Sequence, residues 1–523
     1  MIPAVGALTV AIYAAPVTPV RVGSLAARDI QDGQIAQTLS ADERTARERF
    51  SAALRLAEQG GVEEALEAAA EGLVLDADNA NGLNLVGQLY EQLGRGAEAE
   101  DAYLKASRAD PEWPTPHRNL GNLYVARGEQ DDAVLAFQRA WQLDPENVQL
   151  AVDIIVAQIG SGDLAAAIVT AETAVERAPD DPTSVEILAR TLGASELVDE
   201  NLQRAPAAFR RAIALDPDHA DLWLALGNTY DRLALNTEAE QAYRRAIDLG
   251  LDNAQVRYEL GQILSRQNQF APALEEYERA IYADADGDGW PDLAVSSTAD
   301  LAAAYYARGE ALFELGRAEE ARTDFEYAMR ISPGDPDPVL AAVQVYMGRG
   351  DLESSERLLG EIASTATSKR AEISLAVGRL RLRQGRDEEV IEVLTSVLNS
   401  APELIEARYL RGQALLRLGR VDEGRTALAE YQRILAAGHA SGIDLLRTEV
   451  TSRWQVYVLR GRVHTYEGRL ELALEQLEAA AVLAPDSPDV WQALAELHDL
   501  RNDAEAAAAA RRRAESLRAP GAS

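Results

Sequence analysis

The chain has 523 residues, 47% of them hydrophobic and 26% charged, enough apolar material to fold almost throughout rather than stay disordered. Its 85 acidic residues against 51 basic ones give a formal charge of −34, a field that repels phosphate backbones and anionic lipid and so argues against nucleic acid and membrane surface as partners. There is no cysteine, which removes disulfides, thiolate metal sites and cysteine nucleophiles.

Twenty uncharged residues, MIPAVGALTVAIYAAPVTPV, precede Arg21. They suit a signal peptide over 1–26, with Ser24-Leu25-Ala26 as a small-x-small cleavage site before Ala27, and hence export to the periplasm or cell envelope. No basic residue lies before the apolar run, and Pro3, Pro16 and Pro19 weaken a membrane helix, so an N-terminal extension of a cytoplasmic protein is the alternative. Residues 27–45 read as a further extension.

From residue 46 the sequence repeats. Residues 80–111 read ANGLNLVGQLYEQLGRGAEAEDAYLKASRADP and residues 114–145 read PTPHRNLGNLYVARGEQDDAVLAFQRAWQLDP. Each landmark advances by 34: Gly87 to Gly121, Tyr90 to Tyr124, Ala99 to Ala133, Tyr103 to Phe137, Pro111 to Pro145. The same step carries Gly227 to Gly261, Tyr243 to Tyr277 and Gly378 to Gly412. Glycine and alanine at these places keep helix contact surfaces thin, while the aromatic rings fill the gaps. Proline after each second helix stops it.

Residues 220–251 hold the fullest version, with Trp223, Leu226, Gly227, Tyr230, Ala239, Tyr243 and Ala246 in order. The pattern resembles the tetratricopeptide repeat, W-x2-L-G-x2-Y…A-x3-F…P. That resemblance implies an all-α, right-handed superhelical solenoid of about 13 helix-turn-helix units, forming one elongated domain with an inner groove. Units 1–7 occupy 46–283 and units 8–13 occupy 299–518 with a C-terminal cap, followed by a tail at 519–523. The units at 46–79, 339–367 and 405–436 depart most from the signature.

Three insertions break the period. SELVDENLQ, between Leu192 and Ala205, reads as a longer hairpin loop, and HASGIDLLRTEVTSR near 439–453 as an extension of the following first helix. The third, at 284–298, begins DADGDGWPDLAV. Asp284, Asp286, Asp288 and Asp292 take loop positions one, three, five and nine, with a glycine at six and the Trp290 carbonyl at seven, a layout suited to Ca2+. Val295 replaces the EF-hand glutamate, and the loop looks more like the calcium loop of FG-GAP repeats. An acidic solvated loop is the plain alternative.

The family's ligands commonly lie against the first helices, so the resemblance points to Arg118 and Asn122 as carboxylate-clamp-like contacts for a protein or peptide. Asn228, Tyr258, Tyr306 and Tyr409 share that facing. Between Lys369 and Arg469 there are 17 basic and 13 acidic residues, and Arg379, Arg383, Arg417 and Arg462 are placed to grip an acidic segment or to balance charge within the chain. No Gly-x-Ser-x-Gly, phosphate loop or zinc spacing occurs, so the expected role is a non-enzymatic protein-binding scaffold without a small-molecule substrate. The alternative is a calcium-responsive structural or adhesion protein of the cell envelope.

Overall fold

The computed structural model describes residues 40–195, 200–282, 298–366, 368–402, 404–440 and 453–518. All regular structure among these residues is helical, in 26 helices that pair into thirteen hairpins. Chain contacts divide the protein into two compact units, Met1–Pro217 and Asp218–Ser523.

In the first unit the hairpins are α1 (Ala41–Glu58) with α2 (Val62–Leu75), α3 (Ala80–Gln92) with α4 (Gly96–Ala109), and α5 (Pro114–Arg127) with α6 (Gln130–Leu143). They continue as α7 (Val148–Gly160) with α8 (Leu164–Arg177), and α9 (Pro182–Gly193) with α10 (Glu200–Leu215). The first helix begins five residues ahead of the sequence-based start, because Ser40 and Glu43 form a reciprocal capping box. The insertion before Ala205 is partly helix, since α10 already runs from Glu200 and carries Pro206 inside it.

The second unit contains α11 (Ala220–Arg232) with α12 (Asn236–Asp248), α13 (Ala254–Arg266) with α14 (Phe270–Ile281), and α15 (Thr298–Glu314) with α16 (Ala318–Ile331). Next come α17 (Pro336–Arg349) with α18 (Leu352–Thr365), α19 (Arg370–Arg383) with α20 (Asp387–Ser400), and α21 (Ile405–Arg417) with α22 (Val421–Ala440). The last two hairpins are α23 (Arg453–Tyr466) with α24 (Leu470–Leu483), and α25 (Pro488–Leu500) with α26 (Ala504–Arg518). His439 and Ala440 prolong the second helix of their own hairpin, α22, not the first helix of the next.

The local chemistry of each hairpin accounts for its ends. Pro114, Pro182, Pro336 and Pro488 open first helices at a position that has no backbone donor to lose. Asn79, Asp181 and Asn253 cap the helices that follow them. Second helices stop two residues before Pro111, Pro145 and Pro179.

Packing explains the glycine of the repeat. A Cβ on Gly227 would stand 2.7 Å from the Tyr243 ring, and one on Gly261 would stand 2.6 Å from the Tyr277 ring. The glycine therefore makes room for the aromatic side chain of its own second helix, so the ring locks the hairpin from within rather than filling a gap between hairpins. Tyr103, Phe137, Tyr243, Tyr277 and Phe325 are all buried in this way.

Candidate functional site

First helices pack against one another along each unit: α1 on α3 and α7 on α9 in the first, and α13, α15, α17, α19 and α21 in succession in the second. Second helices do not pack on one another in this way among the described residues. First helices thus converge on the inner side of each stack, and their inward side chains form the surface on which a ligand would lie.

In the first unit that surface is largely spent on holding the stack. Asn119 Nδ2 on α5 donates to Asn84 Oδ1 on α3 over 2.9 Å, and both residues are buried. Arg118 Nε donates to Asp153 Oδ2 on α7, 2.9 Å away, so the arginine expected to await a carboxylate already holds one. Asn122, one turn further, is half-buried on the same helix. Gln88, a turn beyond Asn84, is buried.

In the second unit three first helices carry a tyrosine and, four residues later, a Gln or Glu bonded to it. Gln262 Nε2 donates to Tyr258 Oη over 2.7 Å on α13, the Tyr306 hydroxyl donates to Glu310 Oε1 over 2.7 Å on α15, and Gln413 Nε2 donates to Tyr409 Oη over 2.7 Å on α21. Each contact fixes the outer end of a tyrosine within its own helix. The rings rest against neighbouring aromatics, Tyr258 on Tyr277 and Tyr306 on Phe325, each with centroids 5.9 Å apart, and Tyr409 on Tyr431 at 5.1 Å. Tyr409 is 37% exposed. Asn228, by contrast, is engaged: its Oδ1 accepts from the Tyr243 hydroxyl over 2.9 Å.

The arginines of the late hairpins are committed inside the chain. Arg379 forms a two-pronged pair with Glu406, with Nε 2.7 Å from Oε1. Arg383 donates to the Met347 carbonyl and Arg417 to the Leu382 carbonyl, the latter over 2.8 Å. Both carbonyls lie in the last turn of the preceding first helix, where the helix end is electronegative and short of donors. Arg462 Nε is enclosed without a hydrogen-bond partner among the described residues. Arg379 therefore pairs with a carboxylate inside the chain, whereas Arg383 and Arg417 are bound to helix-terminal carbonyls.

One inward carboxylate is electrostatically distinctive. Burial, aided by nearby Asp231 and opposed by Arg266, pushes Glu259 on α13 up to about 7. Arg266 itself pairs with Asp231 of the preceding first helix.

The aspartates and Trp290 of the proposed calcium loop lie outside the described residues, as do residues 1–39 with the signal-like stretch. Among the described residues no helix is long and apolar enough to cross a membrane. Sequence reasoning missed the partners of the tyrosines, Gln262, Glu310 and Gln413. Their signal was available as a polar residue four positions after a tyrosine at the same place in three repeats.

Comparison with known proteins agrees with this architecture. Tetratricopeptide-repeat profiles match residues 50–113, 124–190, 190–250, 224–288, 312–380 and 454–497. The CTR9 homolog of Arabidopsis thaliana is 28% identical over 156 residues, a match that spans 28% of this chain and 14% of that protein's length. Among solved structures, the tetratricopeptide-repeat protein YrrB, described as having an unusual peptide-binding site, is 22% identical, with 40% of this chain and 97% of that one covered and a TM-score of 0.33. Yeast Tom70 is 16% identical over 84% of this chain and 92% of its own, with a TM-score of 0.32. With its repeats matched over more than half of its length and the fold built from thirteen such hairpins, the chain belongs to the tetratricopeptide-repeat family.

Proposed function

We propose that the chain is a non-enzymatic scaffold whose second unit holds an extended segment of a partner protein against α13, α15 and α21. The observation that carries this reading is the recurring pair on the inner side of those helices: Tyr258 with Gln262, Tyr306 with Glu310, and Tyr409 with Gln413. A tyrosine already fixed at both ends offers a rigid apolar face at small entropic cost. The amide or carboxylate beside it retains lone pairs or protons for a peptide main chain. Chemistry, in this reading, belongs to the proteins assembled on the scaffold.

A photo-crosslinking residue placed at Tyr306 or Tyr409 tests the proposal in native extract. Adducts are expected from these inward sites, in contrast to Leu135 and Val169, which are exposed on second helices of the first unit. Equal labelling from both sets of positions would remove the case for an inner binding surface.

The loop containing Asp284, Asp286, Asp288, Trp290 and Asp292 is proposed as a calcium site on its sequence alone. Titration calorimetry with CaCl2 on the full chain and on the Asp286→Asn variant checks it. Heat of binding that the variant loses is the expected result.

A further inference from the structure

The turn between α11 and α12 differs from every other described hairpin turn. The residue preceding the second helix is polar or glycine elsewhere, as at Gly61, Arg95, Glu129, Gln269 and Arg317, but it is Leu235 here. The left-handed residue of the turn is Ala234, with φ 55°, where most of the turns use glycine. Leu233 and Leu235 are both fully buried, whereas Leu315, which occupies the place of Leu233 in the α15–α16 turn, is 39% exposed. A turn that accepts a strained alanine and withdraws the two leucines beside it from solvent has the properties of an interface, not of a loop.

What meets it in the structure is hairpin α23–α24, more than 200 residues further along the chain. Arg460 Nη2 donates to the Ala234 carbonyl over 3.4 Å. The Tyr230 hydroxyl donates to Glu467, whose side chain is wholly buried. Glu467 is further held by Arg469, with Nε 2.7 Å from Oε2, and stands 3.2 Å from His464 Nδ1. His464 Nε2 in turn lies 3.8 Å from Glu238 on α12. Among the described residues, the packing of helix on helix that runs from α11 to α22 is not carried in the same way from α22 to α23.

We propose that the Leu233–Leu235 turn is a docking surface for the α23–α24 hairpin, and that this contact latches the second unit closed upon itself. The two leucines supply apolar burial. The Tyr230, Glu467, His464 and Arg469 cluster supplies register, because a buried carboxylate is tolerated only where its donors are in place. The proposal does not depend on the inner surface being a binding site.

The absence of cysteine makes the test direct. In the full chain, Ala234→Cys combined with Arg460→Cys is treated with a short bis-maleimide, with Ala234→Cys combined with Arg420→Cys as the unlatched control. The expected result is an intrachain cross-link, confirmed by the mass of the joined peptides, in most molecules of the first pair and few of the control. Adding Leu235→Arg, the residue type found at other turns, should lower the yield about tenfold, the equivalent of about 1.4 kcal/mol. Should that variant lose helical content by circular dichroism, Tyr230→Phe, which removes only the hydroxyl, replaces it and should lower the yield in the same direction. Cross-linking no better than the control overturns the latch. Products joined only between chains also overturn it, and would make the turn a contact between copies of the protein.

Discussion

The inner sides of α3 and α5 in the first unit and of α13, α15 and α21 in the second are built from the same positions of the same repeat, yet they are used differently. In the first, polar side chains reach across to the neighbouring hairpin: Asn119 to Asn84, and Arg118 to Asp153. In the second, polar side chains turn back onto a tyrosine of their own helix. The difference teaches that the inward positions carry no fixed role. A side chain bonded to the next hairpin belongs to the stack, whereas one bonded within its helix leaves a prepared surface.

The comparison is sharpest when core, stack and surface are perturbed in turn. Phe137→Ala, which empties the space beside Gly121, should destabilise the first unit by about 3–5 kcal/mol in urea unfolding. A loss below about 1 kcal/mol would mean that the ring does not lock the hairpin.

Glu259→Gln probes the second unit through pH. Its carboxyl is held up to about 7 in the folded chain against an ordinary value of 4.5, so the folded state keeps the proton more tightly. Stability is therefore lost as pH rises from 4.5 through 7, and the full penalty persists above that. Relative to the native chain, the glutamine variant should gain roughly 2 kcal/mol at pH 8 and nothing at pH 4, after discounting for residual solvent contact. Parallel pH profiles for both proteins would show that this carboxyl does not titrate in that window.

Asn119→Ala should cost about 1–2 kcal/mol, because it strips a buried amide of its partner. Tyr306→Phe should change stability by less than about 0.5 kcal/mol, since only an exposed hydroxyl contact is lost. Were the two costs equal, the division between stacking and surface residues would fail.

The fold was legible in the sequence to a degree that few architectures allow, because a glycine and an aromatic ring recur together and each needs the other. The hairpin count followed from the same period. The division at Pro217 was not legible, since the repeat signature runs through it unchanged. The inward tyrosines were identifiable from register alone, whereas the engagement of Arg118, Arg379, Arg383 and Arg417 depended on residues 27 to 36 positions away. A spacing of four can be read along a single helix; a bond to the next hairpin needs the geometry of the stack.

The arginines that reach back to the Met347 and Leu382 carbonyls give the second unit a sense of order. Each is matched to the helix end that comes before it, so deleting a single hairpin would pair a guanidinium with a terminus of different sequence and shape. Transplanted modules from this protein should accordingly be cut upstream of the preceding first helix, two helices before such an arginine, carrying donor and carbonyl together.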